Sequence, residues 1–228
     1  YFRPEIKTKL EKLETTSNAS SELKKQEGDY FDTYFNYSLD YDKRNKRYRP
    51  DDGYRNKFSQ DVPLISDNYE LTNAFETSKY KKVSSVVTKT SFLYRRVDTL
   101  NDENVRTSKR LNIPSSKLRG FESGKIGPND NNVFIGGNNV SSVNFNATMP
   151  GLLPSFQNTD FSFFIDAANV WGVDYDSSLD SSKIRSSTGV AVDILTPVGP
   201  LNFSLSQPIS KASTDITETF RFNLGTTF

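Results

Sequence analysis

The sequence predicts an all-β fold, an antiparallel transmembrane β-barrel segment, on three observations. Aromatic residues are abundant, with 17 Phe and 11 Tyr among 228 residues, while only 34% of the chain is hydrophobic. That supply is thin for a tight aliphatic core and too aromatic for a disordered polar chain. Segment after segment alternates with period two, the signature of a strand. The polar faces are mainly Ser, Asn, Thr and Asp with a few isolated charges, which suits a wet lumen behind an apolar outer wall. A soluble β-sandwich is the competing reading, because its strands alternate too. Its buried face would be aliphatic, and charges would dominate the other.

In chain order, residues 6–13 fit a short helix and, through Ile6, Thr8 and Leu10, a strand about equally. Between 30 and 42 the alternation is clean: Phe31, Thr33, Phe35, Tyr37, Leu39 and Tyr41 share one face, and Asp32, Tyr34, Asn36, Ser38, Asp40 and Asp42 the other. Weaker strands follow near 53–62 and 68–80. Val86, Thr88, Thr90, Phe92 and Tyr94 then oppose Lys89, Ser91 and Arg95, and Val143, Phe145, Ala147 and Met149 oppose Asn144, Asn146 and Thr148. Phe161, Phe163, Ile165, Ala167, Asn169 and Trp171 oppose Ser162, Phe164, Asp166 and Ala168. Val190, Val192 and Ile194 oppose Asp193, and Leu201, Phe203 and Leu205 oppose Asn202, Ser204 and Ser206. Last, Phe220, Phe222, Leu224, Thr226 and Phe228 oppose Arg221, Asn223 and Thr227. With one or two strands before residue 28, nine or ten are expected, each near the roughly 9–11 residues that cross a bilayer at a tilt.

Composition removes several kinds of chemistry. No Cys leaves no disulfide or thiolate, and no His removes the usual general base and metal ligand. With 29 Lys and Arg against 28 Asp and Glu, no bulk charge favours nucleic acid. No run approaches the roughly 20 apolar residues of a membrane helix, and residues 1–20 do not read as a signal peptide. GxSxG, HExxH and GxGxxG motifs are absent, and the spacing around Lys125 is not that of a P-loop.

The longest connection, about residues 98–132, carries Leu118-Arg119-Gly120-Phe121-Glu122 and then Gly124-Lys125-Ile126-Gly127-Pro128. A connection of that length is usually functional or disordered. Arg119 either pairs with a buried carboxylate or is an ordinary solvated loop residue. Parity turns Asp166 to the lumen, where it is paired or solvated by channel water; an unpaired carboxylate in an apolar, aromatic strand is costly. Asp174, Asp176 and Asp180 hint at calcium, but the glycine and closing Glu of an EF-hand loop are missing, so a solvated loop is the simpler reading.

Leu118-Arg119-Gly120-Phe121 followed by Ile126-Gly127-Pro128 resembles the RGF…IGP signature of the long sixth loop of the BamA superfamily. Further segments resemble that family in order: Tyr41-Asp42-Lys43-Arg44-Asn45 with Pro50-Asp51-Asp52-Gly53; Ile135-Gly136-Gly137-Asn138; the run from Phe163 to Trp171; and Arg185-Ser186-Ser187-Thr188-Gly189 leading to Thr196-Pro197-Val198-Gly199-Pro200. The end, Phe220-Arg221-Phe222-Asn223-Leu224-Gly225-Thr226-Thr227-Phe228, resembles the family's FxFxxGxxF terminal strand.

The resemblance implies that residues 1–228 are the C-terminal nine or ten strands of a sixteen-stranded barrel, without its POTRA domains and early strands. It implies an Arg119-Gly120-Phe121 loop motif reaching lumenal acids, with Asp166 retained, Asn146 where the family has Glu, Ala168 where it has Gly, and Ile113-Pro114 for a Gly-Gly. The lock is then a single ion pair. The implied function is non-enzymatic: assembly and insertion of nascent outer-membrane β-barrel proteins, with accessory assembly lipoproteins and outer-membrane lipids as partners. No catalytic residue, cofactor, metal or nucleic acid is implied. The alternative is a polypeptide translocation pore of the two-partner secretion type. In the terminal strand, 216–228, Phe220, Phe222, Leu224 and Phe228 would be both seam and sorting signal. With the end at the periplasmic face, connections 98–132, 173–184 and 209–215 lie outside, and 44–52, 81–83, 151–159 and 197–199 lie in the periplasm.

Overall fold

The computed structural model describes residues 1–152, 158–180, 183–197 and 199–224. Ten strands form one sheet: β1 (Phe2–Leu13), β2 (Gly28–Asp42), β3 (Asp52–Ser66), β4 (Glu70–Val83), β5 (Val86–Thr99), β8 (Asn139–Pro150), β9 (Thr159–Trp171), β10 (Arg185–Thr196), β11 (Gly199–Ser210) and β12 (Phe220–Leu224). Between β5 and β8 lies a two-stranded hairpin of β6 (Asn129–Asp130) and β7 (Val133–Phe134). Sheet neighbours follow chain order, and every pairing is antiparallel. The ambiguous stretch near residues 6–13 is a strand, paired from Phe2↔Leu39 to Leu13↔Gly28. The long connection is longer than the sequence suggested, residues 100–138, and holds a 3-10 turn at Thr107–Lys109 besides the hairpin.

Alternation sorts the side chains. Leu39, Val143, Phe163, Ile165, Val190 and Phe222 are exposed, while Asp40, Ser142, Asn144, Ser162, Ser187 and Arg221 are buried. An outward aromatic and aliphatic face with a polar inward face is the reverse of a water-soluble sheet, so the solvent on the outside is hydrocarbon. The inner face receives the long connection. Val105, Leu111, Ile113, Leu118, Phe121 and Ile126 pack on Val97 of β5, Val140 of β8, and Ala168 and Val170 of β9.

The same connection also bonds to β2 through Arg106 and to β12 through Phe121. In a flat sheet, eight strand spacings of ~4.8 Å would hold β2 and β12 ~38 Å apart. One compact loop reaches both because the sheet curls around it. The curl does not close: β1 and β12 each pair on one side among the described residues. The β2–β3, β4–β5, β8–β9 and β10–β11 pairs are joined across one end of the sheet, and the β1–β2, β3–β4, β5–β8, β9–β10 and β11–β12 pairs across the other. Short turns mark the periplasmic end of such barrels.

Candidate functional site

β9 presents Asp166 on the inner face between Asn144 of β8 and Ser187 of β10, its register partners. Its side chain is fully buried, and Arg119 of the loop lies over it. The guanidinium donates from Nε to Asp166 Oδ2 at 2.7 Å and from Nη2 to Oδ1 at 2.8 Å. The fork is bidentate, the geometry in which Arg and a carboxylate interact most strongly. The Arg119 backbone N–H adds 3.1 Å to Oδ2, and Asn144 Nδ2 adds 2.8 Å to Oδ1. Asn146, the residue that stands where the resemblance has Glu, accepts from Arg119 Nη2 at 2.8 Å. The guanidinium also stacks 3.5 Å above the Phe164 ring centroid. One ion pair, one neutral acceptor and one aromatic face thus hold a single cation.

Gly120 sits at φ +88°, and a Cβ there would crowd Ser206 Cβ at 3.1 Å and Ser187 Cβ at 3.3 Å. Only glycine lets the chain lie this close to the wall. Ser187 Oγ donates to the Arg119 carbonyl at 2.5 Å. Phe121 is buried in the loop's core. From here the loop pairs with the segment leading into β12: Phe121 bridges Thr217, Glu218 N donates to Gly120 O at 3.1 Å, and Glu122 N to Ile216 O at 3.0 Å. Arg221 of β12 points inward, donating to Ser115 O at 2.7 Å and to the Phe121 carbonyl, while Glu218 accepts from its Nε at 2.9 Å. The motif loop is therefore bonded to the inner wall and to the terminal strand at once. Phe220, Phe222 and Leu224 face outward, with Phe222 stacked on Phe203 at 5.0 Å. Phe228 and Gly225 lie outside the described residues.

Three further guanidinium anchors were not singled out from sequence. Arg106 is buried between Glu70 of β4, 2.7 Å from Nε, and Asp32 of β2, 2.6 Å from Nη2. Burial opposes its charge, and the two carboxylates outweigh burial and raise its pKa. Arg110 pairs with Asp174, which also accepts from Val105 N at 2.7 Å and Asn138 Nδ2 at 3.1 Å. Burial would push the Asp174 carboxyl up; the Val105 N–H, Arg110 and Asn138 together hold it below the usual carboxylate range. Arg185 and Asp215 are fully buried and joined at 2.9 Å. Parity already turned Asp32 inward; nothing local marks Arg106 or Asp215. The Asp174, Asp176 and Asp180 run is spent on Arg110, on the Ser178 N–H and on the Gly172 and Val173 N–H groups. Among the described residues no acidic group is arranged to hold a metal. Toward the short-turn end the lumen opens into a cavity of about 740 Å³ lined by Arg44, Arg49, Lys117, Arg119, Asp160 and Asp193, among others.

A curled antiparallel sheet, apolar outside and polar inside, with a long loop bolted to its inner wall, defines a segment of an outer-membrane β-barrel. Residues 3–228 match the Omp85 superfamily domain, and the chain belongs to that superfamily. The outer membrane protein assembly factor BamA of Neisseria meningitidis serogroup B is 32% identical over 140 residues, 49% of this chain and 17% of that protein. The crystal structure of BamA from Haemophilus ducreyi lacking POTRA domains 1-3 matches with a TM-score of 0.77 and 26% identity, over 86% of this chain and 42% of that one. The chain thus spans less than half the length of either relative, and its open sheet is a partial barrel.

Proposed function

We propose that this region is the seam-bearing part of the central barrel subunit that assembles and inserts β-barrel proteins into the outer membrane. The observation that carries the reading is the double attachment of the motif loop. Arg119 ties it to the β9 wall, and Arg221 ties it to the terminal strand. In a closed barrel β12 would meet the barrel's first strand. Where that meeting is weak, β12 offers unpaired backbone donors and acceptors on which a nascent client strand pairs, the edge chemistry soluble proteins suppress. No bond is made or broken, so the loop's work is positional: it holds β12 at a fixed angle while its outer edge is free. Nascent outer-membrane β-barrel proteins are the clients, and accessory lipoproteins dock elsewhere on the intact subunit. Phe220, Phe222, Leu224 and Phe228 serve as the protein's own sorting signal as well as its seam.

The test is complementation in cells depleted of the intact protein, read by the heat-modifiable migration of client barrels. Arg119→Ala and Asp166→Ala each impair client assembly, and the double variant is no worse than either single. Additive defects would show that the two side chains do not act as a unit. If client barrels assemble normally while an exported polypeptide accumulates in the periplasm, the translocation-pore reading replaces this one.

A further inference from the structure

Charge is scarce on the outer wall. At the short-turn end, the outward positions of the described strands carry charge only at Asp52, Lys79 and Lys81. Ser78 and Tyr80, their inward neighbours on β4, are buried, while Lys79 and Lys81 are exposed. In the ladder to β3, Lys79 stands opposite Tyr54 and Lys81 opposite Asp52. Tyr54 packs on Tyr41 with ring centroids 6.0 Å apart, and Lys43 Nζ lies 5.5 Å from the Tyr41 centroid. Lys43 is fixed there by its backbone N–H, which donates to Tyr54 O at 2.9 Å. Lys43, Lys79 and Lys81 therefore share the lipid side of this rim with one tyrosine pair.

The neighbouring cations behave differently. Arg44, Lys46 and Arg49 belong to the same turn but line the lumenal cavity, and each is paired with a carboxylate: Asp42, Asp51 and Asp160 respectively. None of Lys43, Lys79 and Lys81 forms an ion pair among the described residues. The turn's cations Arg44, Lys46 and Arg49 are paired, whereas on the outer face one carboxylate, Asp52 opposite Lys81, stands against three ammonium groups and leaves a net positive charge. Tyrosine rings settle at the headgroup level of a bilayer, and lysine stems run along apolar surface to bring the ammonium there. What meets those ammoniums at that depth is the headgroup layer.

We propose that Lys43, Lys79 and Lys81, which share the rim with the Tyr41–Tyr54 pair, bind the phosphate headgroup of an anionic phospholipid in the periplasmic leaflet. The site rests on the barrel's place in the outer membrane and not on its role in assembly. The test is native mass spectrometry of the intact protein in detergent, with phosphatidylglycerol or phosphatidylcholine added. Wild type retains phosphatidylglycerol at least about fivefold over phosphatidylcholine, the weight expected of a net cationic contact at a membrane surface. The triple variant Lys43→Gln, Lys79→Gln, Lys81→Gln retains both equally, and the single variants, which leave the ladder hydrogen bonds intact, lower the preference stepwise. Lys46→Gln, on the lumenal side, leaves it unchanged. Equal retention by wild type, an undiminished preference in the triple and single variants, or loss of the preference in Lys46→Gln would each overturn the site. So would displacement of the lipid by millimolar inorganic phosphate, which would make it a site for a soluble anion.

Discussion

Asp166 is fully buried and accepts four hydrogen bonds, three of them from Arg119. Removing the guanidinium leaves a buried carboxylate whose remaining donors are neutral, a loss on the order of 3 kcal/mol. Parity alone turned Asp166 inward and left Arg119 or water as its partner; the family resemblance, not any local signal, named Arg119, 47 residues away. Asn146 shows the limit of reading by resemblance. Its amide oxygen takes the place of a carboxylate as an acceptor, so the cation keeps a second partner without a second charge. Asp174 yields a pH prediction. Its carboxyl is held below the usual range, so its contribution to stability is complete above about pH 4 and is lost as pH falls through the depressed folded-state value. The Val105 amide, which donates to Asp174, should keep its hydrogen-exchange protection from neutral pH to about 4 and lose it in stronger acid. In Asp174→Asn the acid-dependent loss should vanish. An acid-dependent loss of protection that persists unchanged in Asp174→Asn would contradict the assignment.

The strands were legible because period two is a local signal, repeated from residue 31 to residue 41 and again at 161–171. The loop was not, beyond its motif, because its fold is fixed by contacts with strands far along the chain. Arg106 with Asp32 of β2 and with Glu70 of β4 are examples. Even its extent, 100–138, exceeded the stretch read from Gly and Pro punctuation. The attachment to β12 is the part of the loop with mechanical consequence. Arg221→Gln removes charge-assisted bonds to two loop carbonyls, and each is worth about 1.5–3 kcal/mol. Trypsin should then cleave at Lys117 or Lys125 faster than in the unsubstituted protein, while cleavage at Lys43 is unchanged. Equal rates at all three sites would mean that Arg221 does not hold the loop. Phe228 carries a separate expectation, read from the sequence alone. Phe228→Ala should slow the protein's own insertion far more than it lowers the heat stability of barrel already inserted; the reverse pattern would make Phe228 an interface anchor.

Among the described residues the molecule is a sheet with two unlike surfaces and two open edges. Lipid meets the outside, the loop packs part of the inside beside an open cavity, and one connection bonds to strands from β2 to β12. That arrangement concentrates rigidity in the wall around β5, β8 and β9, where the apolar core lies. It leaves β12 held from within by Arg221 and by the strand-like pairing at 216–218, with its outer edge unpaired among the described residues. An edge braced from inside can open without the barrel losing its shape. Membership of the Omp85 superfamily fixes the architecture, and the proposed assembly role rests on what that edge does. The direct measurement is client assembly by the intact protein with a reversible disulfide placed between β12 and the first strand of the complete barrel. The chain described here has no native cysteine to compete. Assembly should stop when the disulfide forms and recover on reduction, with the barrel folded throughout. Undiminished assembly in the oxidised form would contradict the seam mechanism.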